Sequence, residues 1–212
     1  MELRFKRNHF LALAALFLLV TRIQLLWEPF FHADEARFAL SAQIWQQKGI
    51  PYLDWIETKP LGVYFFYTAS SWLAGHSSQV NMLAVHLVSL VWTFLTALAL
   101  DRIATRITSP RAGGMAALLF ILFSSFWDPS IVSVSIEVVL LLPLVASIAF
   151  LKPSPDSFKK RDSLAAGFCV AAAFLCKYQA GILLPIVFLY YWVILWRFAP
   201  TWRTRQAVKH SL

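Results

Sequence analysis

RFKRNHFLALAALFLLV, residues 4–20, opens on three basic residues and then runs apolar from Phe10 to Val20. Two structures share that pattern, a cleaved signal peptide and a membrane span that stays in the protein. TRIQLLWEPF follows at residues 21–30, where a signal peptide would need a small-residue cleavage site. The segment therefore reads as an uncleaved first span, extended through Trp27 to the roughly 20 residues a bilayer requires.

Outward from that segment the composition stays that of a membrane protein. Of the 212 residues 59% are hydrophobic and only 14% charged, which matches no ordinary soluble domain. Apolar windows place spans at about 9–27, 79–100, 112–127, 131–151, 163–176 and 180–197, so the expected fold is an all-α polytopic membrane protein of about six transmembrane helices. No soluble domain large enough to bury its own core fits between them. KPSPDSFKKRDS, 152–163, reads as a plain polar turn, and no internal repeat is present. Cys169 and Cys176 lie seven residues apart in one apolar segment, a pattern of core packing rather than of a disulfide framework or a thiolate metal site.

The net charge of +8 raises the question of nucleic acid. Its distribution answers it, because the basic residues cluster beside apolar segments rather than along one polar face. With the N-terminus inside, fourteen Lys and Arg residues lie on the inner side, against Arg37, Lys48, Lys59 and Lys177 outside, with Arg22 within the first span. That bias orients the chain with both termini cytoplasmic in a plasma or inner membrane. Acids run the other way: Glu28, Asp34, Glu35, Asp54, Glu57, Asp128 and Glu137 fall at or near the outer side. Any chemistry is expected on the outer face.

Residues 28–78 form the longest connection, and two stretches of it read as helices. ADEARFALSAQIWQQKG, 33–49, mixes Phe38, Ile44 and Trp45 with polar residues and stops at Gly49. LGVYFFYTASSWLAG, 61–75, follows Pro60, a favourable first helical residue. Both fit helices lying along the outer membrane surface.

The ionisable residues of that face are the candidate site. Asp34 and Glu35 are adjacent, so on a helix they point about 100° apart and cannot address one atom; one is expected to face a site and the other something structural. Arg37 lies within pairing distance of Asp34. The bland alternative is a charged, capped helix start. Glu137 sits about 9 Å into a helix begun near Ile131 at the usual rise, where a carboxyl needs a polar cavity or partner. Lys59 and Lys177 suit anionic lipid phosphates, or simply snorkel, and Arg22 poses the same choice. His32 with Asp34 and Glu35 is the only grouping that suggests a metal, and such mixed ligands at that spacing do not define one. His86 reads as an interhelical hydrogen bonder, and His9, His76 and His210 as boundary or tail residues.

An uncleaved first span, DEARFA opening an amphipathic helix and PYLDWIETKPLGVYFFYTASSWLAG together resemble the start of the GT-C membrane glycosyltransferases, nearest the aminoarabinose transferase and RgtA-like families and more distantly the protein O-mannosyltransferases. An acid early in the fourth span, Glu137, and a lysine after the fifth, Lys177 in CKYQAGILLP, continue the likeness. It implies transfer of a sugar from a polyprenyl-phosphate-linked donor to a glycan, lipid or protein acceptor outside, with inversion in one displacement. By match to the motif, Asp34 would be the base or orient the acceptor, Glu137 would be a second acid, Arg37 would keep Asp34 ionised, and Lys59 and Lys177 would hold the departing lipid phosphate. Lipid tails would lie in a groove beside the Phe-rich run at Tyr64–Tyr67. No cofactor follows from the likeness, a divalent metal being the alternative. Phe38, Glu137 and Thr58 depart from relatives that carry tyrosine, aspartate and glutamate there, and the last weakens a metal. Relatives have roughly twice the spans, so a fragment, a truncated paralogue or a chain completed by a partner subunit is expected. Two other readings compete: a non-catalytic lipid-binding or assembly subunit, and, less favoured, a small transporter, whose acids would sit at mid-membrane.

Overall fold

A computed structural model describes residues 6–27, 32–50, 52–54, 59–75, 80–126, 133–151, 160–189 and 192–193. Glu28, Glu57, Thr58, Asp128, His76 and His210, most of the 152–163 turn and the end of the last expected span lie outside the described residues. Among the described residues the structure is all-helical. α1 is Arg7–Arg22, tightening into a 3-10 turn at Ile23–Leu26; α2 is Ala33–Gln46 and α3 is Gly62–Trp72. α4 is Met82–Ile107, α5 Pro110–Phe126, α6 Ile136–Phe150 and α7 Lys160–Cys176. A 3-10 turn, Tyr178–Ile182, then leads into helix over 183–189.

Two of these, Arg7–Leu26 and Met82–Ile107, are long and apolar enough to cross a bilayer. α5 packs against α1 and α4, α6 against α4 and α7, and α3 against α2, α4 and α7. The interior holds two apolar clusters, around Tyr64 and Ile121, but the outer surface is apolar as well. Leu16, Leu19, Val20, Val91, Phe123, Leu164 and Phe168 face outward, while Arg22, Glu35, His86, Asp101 and a set of Ser and Thr side chains are buried. Hydrocarbon outside and polar groups paired inside is the arrangement a bilayer favours.

One end of the bundle is closed by charge. Asp101, 1% exposed, takes Arg7 through Nε at 2.9 Å and Nη2 at 2.5 Å, and Arg106 Nη1 donates to the Ala149 carbonyl at 2.5 Å, satisfying an acceptor that the end of α6 leaves open. These partners explain why α4 runs to Ile107 rather than ending near residue 100. Gly113 permits the approach: a β-carbon there would lie 2.6 Å from the Asp101 carbonyl oxygen. His9 accepts from the Lys6 amide at 3.0 Å and closes the first turn of α1.

α2 ends as its sequence suggests but by a different residue. Lys48, not Gly49, takes the left-handed conformation (φ 70°), and the Gly49 amide reaches back to the Ile44 carbonyl at 2.9 Å, closing the helix end as a Schellman turn does. Glycine is still required at 49, since a β-carbon would meet Ile44 Cγ2 at 2.5 Å. Pro60 precedes α3 by two residues rather than starting it.

Candidate functional site

The other end gathers the starts of α2, α3, α4 and α6 and the end of α7. α2 begins where His32, in extended conformation, accepts from the Asp34 amide at 3.2 Å through its own ring nitrogen. The two acids of its first turn then diverge. Asp34 is 52% exposed, whereas Glu35 is fully buried and accepts from the Val134 amide at 2.6 Å, with His86 Nε2 3.5 Å from the same oxygen. His86 Nδ1 lies 2.5 Å from the carbonyl oxygen of Leu25, so this imidazole ties α4 to the turn after α1 and places its other nitrogen beside Glu35 of α2. Tyr67 of α3 completes the knot by donating to the Val134 carbonyl at 2.7 Å. Burial, then the Glu35 and Asp34 charges, push the Tyr67 phenol up, so it remains a donor.

His32, Asp34 and Glu35 therefore do not converge on a shared ion. His32 Nδ1 is 4.0 Å from Asp34 Oδ2, Glu35 turns into the core, and among the described residues no group of three or more His, Cys, Asp or Glu is placed to hold a metal. Arg37, one turn beyond Asp34, is exposed. Phe38 is buried edge-on between Tyr64 and Tyr67, with ring centroids 5.9 Å from each.

Val134, held at both its amide and its carbonyl, sets the position of Glu137. Ser135 caps α6, which begins at Ile136, so Glu137 is its second residue and its side chain is half exposed. The expected depth of about 9 Å within a helix is corrected by that clamp: residues 133–135 are drawn into a turn bonded to α2 and α3 instead of continuing α6 upward. Glu137 then meets Lys177, whose Nζ donates to its Oε1 at 2.7 Å. Lys59 lies three residues before α3, its carbonyl accepting from the Tyr52 hydroxyl at 2.8 Å. A β-carbon added at Gly62 would lie 2.6 Å from the Leu175 carbonyl oxygen and 2.8 Å from the Cys176 nitrogen, so the start of α3 is pressed against the residue preceding Lys177. Arg22, in contrast, does not snorkel. It is fully buried, beside a small cavity that Thr93, Thr96 and Ser124 also line.

Below the Glu137–Lys177 pair a groove of about 630 Å³ runs between α2, α3, α4, α6 and α7. Its walls include Trp45, Phe65, Phe66, Trp92, Val139, Pro143, Phe168 and Cys176. Pro143 has no amide to give to Val139 one turn earlier, and Trp92 Nε1 supplies the missing donor at 3.0 Å. Sequence reading set the run Tyr64–Tyr67 beside a lipid groove, and Phe65 and Phe66 do line it while Tyr64 and Tyr67 are buried in the core; it did not single out Val134 or Trp92, for which the Pro143 gap in an apolar helix is a signal that does not name its donor.

Residues 58–208 match the family of dolichyl-phosphate-mannose-protein mannosyltransferases. The chain belongs to that family. Its members are membrane glycosyltransferases, and the match takes in Lys59, Glu137 and Lys177 while beginning after Asp34. No curated protein matches the chain, and no solved structure does.

Proposed function

We propose that this mannosyltransferase-family chain transfers a sugar from a polyprenyl-phosphate-linked donor to an acceptor on the outer face of the membrane, by a single inverting displacement. The observation that carries the reading is the groove: an almost wholly apolar space of about 630 Å³ whose wall residue Cys176 directly precedes Lys177, the partner of Glu137. An apolar tail with one anionic head is the ligand chemistry such a channel selects. Six helices, including those too short to span at full bilayer thickness, are read as crossing the membrane, with both termini cytoplasmic.

In the proposed step an acceptor hydroxyl attacks the anomeric carbon, its proton passes to the carboxylate of Asp34, and the bond to the phosphate oxygen breaks with its electron pair left on the lipid phosphate. Lys59 and Lys177 offset that growing charge, Arg37 is the cation one turn along α2 from Asp34, and Glu137 is the second acid, orienting the acceptor. Asp34 is accessible for this role and Glu35 is not. The test is transfer from a radiolabelled polyprenyl-phosphate sugar by membranes carrying the chain. Asp34→Asn is expected to remove transfer by at least a hundredfold, the lower range for losing a general base, with the protein still in the membrane. Undiminished turnover would overturn the role of Asp34. Tight binding of polyprenyl phosphate without transfer to any acceptor would instead identify a non-catalytic lipid-binding subunit.

A further inference from the structure

We propose that Lys177 changes partners during turnover. It holds Glu137 in the free protein and passes to the phosphate of a bound polyprenyl-phosphate donor, so that seating the donor releases Glu137 toward the acceptor. The proposal rests on the groove being the donor site.

Three observations carry it. The pair lies next to the groove along the chain: Lys177 directly follows the wall residue Cys176, and the Glu137 it holds is in the first turn of α6, the helix that gives Val139 and Pro143 to the wall. The wall itself is apolar, so the phosphate of a tail lying there must find its counter-charge at the rim, where Lys177 is already occupied. The pair is also open to solvent, with Lys177 33% and Glu137 50% exposed. An ion pair of that kind contributes little net stability and yields to a competing anion with more acceptor oxygens. The Arg7–Asp101 pair at the far end shows the contrast within one molecule: a two-nitrogen clamp on a carboxylate that is 1% exposed. A lysine is suited to exchange, being a compact charge on a flexible stem rather than a fixed fork. Donor binding then favours acceptor binding by a similar modest factor, since the phosphate takes the lysine that otherwise pairs with Glu137.

The experiment titrates the full chain, in nanodiscs of zwitterionic lipid, with a long-chain polyprenyl monophosphate and with the polyprenol of equal length. Binding is followed by tryptophan fluorescence, to which Trp45 and Trp92 on the wall contribute. Glu137→Gln is expected to tighten monophosphate binding about three- to fivefold, the release of one exposed ion pair. The gain should vanish in a Lys177→Met background, and polyprenol binding should be unchanged by either substitution. An equal gain in both backgrounds would mean plain repulsion between Glu137 and phosphate and would overturn the exchange, as would no gain at all. Binding of monophosphate without this coupling overturns the exchange and leaves the groove as donor site; failure of wild type to bind either lipid overturns both. Polyprenol binding reports folding, and should Glu137→Gln lose it, Glu137→Asp, with a shorter stem, is expected to give a smaller gain of the same sign that again requires Lys177.

Discussion

Adjacent acids on one helix turn are forced apart, and here the divergence divides structure from chemistry between Glu35 and Asp34. Glu35 is the acceptor for a buried amide and the neighbour of a buried imidazole, so removing it orphans the amide. Glu35→Ala is expected to lower stability by about 1–3 kcal/mol, the cost of leaving a buried donor unsatisfied. Glu35→Gln keeps an acceptor for the Val134 amide and should cost less. Thermal unfolding of the detergent-solubilised protein distinguishes them, and equal stabilities would show that Glu35 is not the tie. The 100° separation was legible from spacing. Which acid turns inward depends on Val134 and His86, and no local pattern places either of them at α2.

Helices in this chain are completed by groups from other helices. α6 contains Pro143, which leaves the Val139 carbonyl without its helical donor, and Trp92 of α4 provides one. Trp92→Phe keeps much of the ring packing against Phe66 but strands that carbonyl, so a loss of about 1–3 kcal/mol is expected. In a Pro143→Ala background the helix regains its own amide donor, and the same substitution should cost measurably less in chemical denaturation. Full additivity of the two changes would rule out the bond as the cause. Helix positions themselves were legible from apolar runs to within a few residues at most ends, for example 163–176 against Lys160–Cys176. α4 outran its apolar window because Asp101 and Arg106 find partners on α1 and α6, and the start of α6 retreated because Val134 is held elsewhere.

At the scale of the whole molecule, charge divides the bundle into two ends. Arg7 clamps Asp101 and Arg106 holds the end of α6 at one, and the Glu137–Lys177 pair stands at the other, where α7 leaves the groove wall. In the proposed topology the first is the cytoplasmic end, as the positive-inside bias of the sequence leads one to expect. With Cys169 and Cys176 replaced by alanine, a single cysteine at Lys48 should react with a membrane-impermeant thiol reagent in intact cells, and one at Ile107, which is 76% exposed, only after permeabilisation. The reverse pattern would invert the topology and move the site to the cytoplasmic face. The amino-acid sequence by itself determined the all-α membrane class, the helices flanking the first connection and the identity of the charged residues, because hydropathy, helix periodicity and turn chemistry are local properties of the chain. Only the tertiary structure decided that Glu35 is buried, that Glu137 sits at a helix start paired with Lys177, and that an apolar groove opens beneath them. Those facts depend on contacts between segments as far apart as residues 35 and 134 or 137 and 177, and a one-dimensional pattern carries no information about which distant backbone amide or ammonium will meet a given carboxylate.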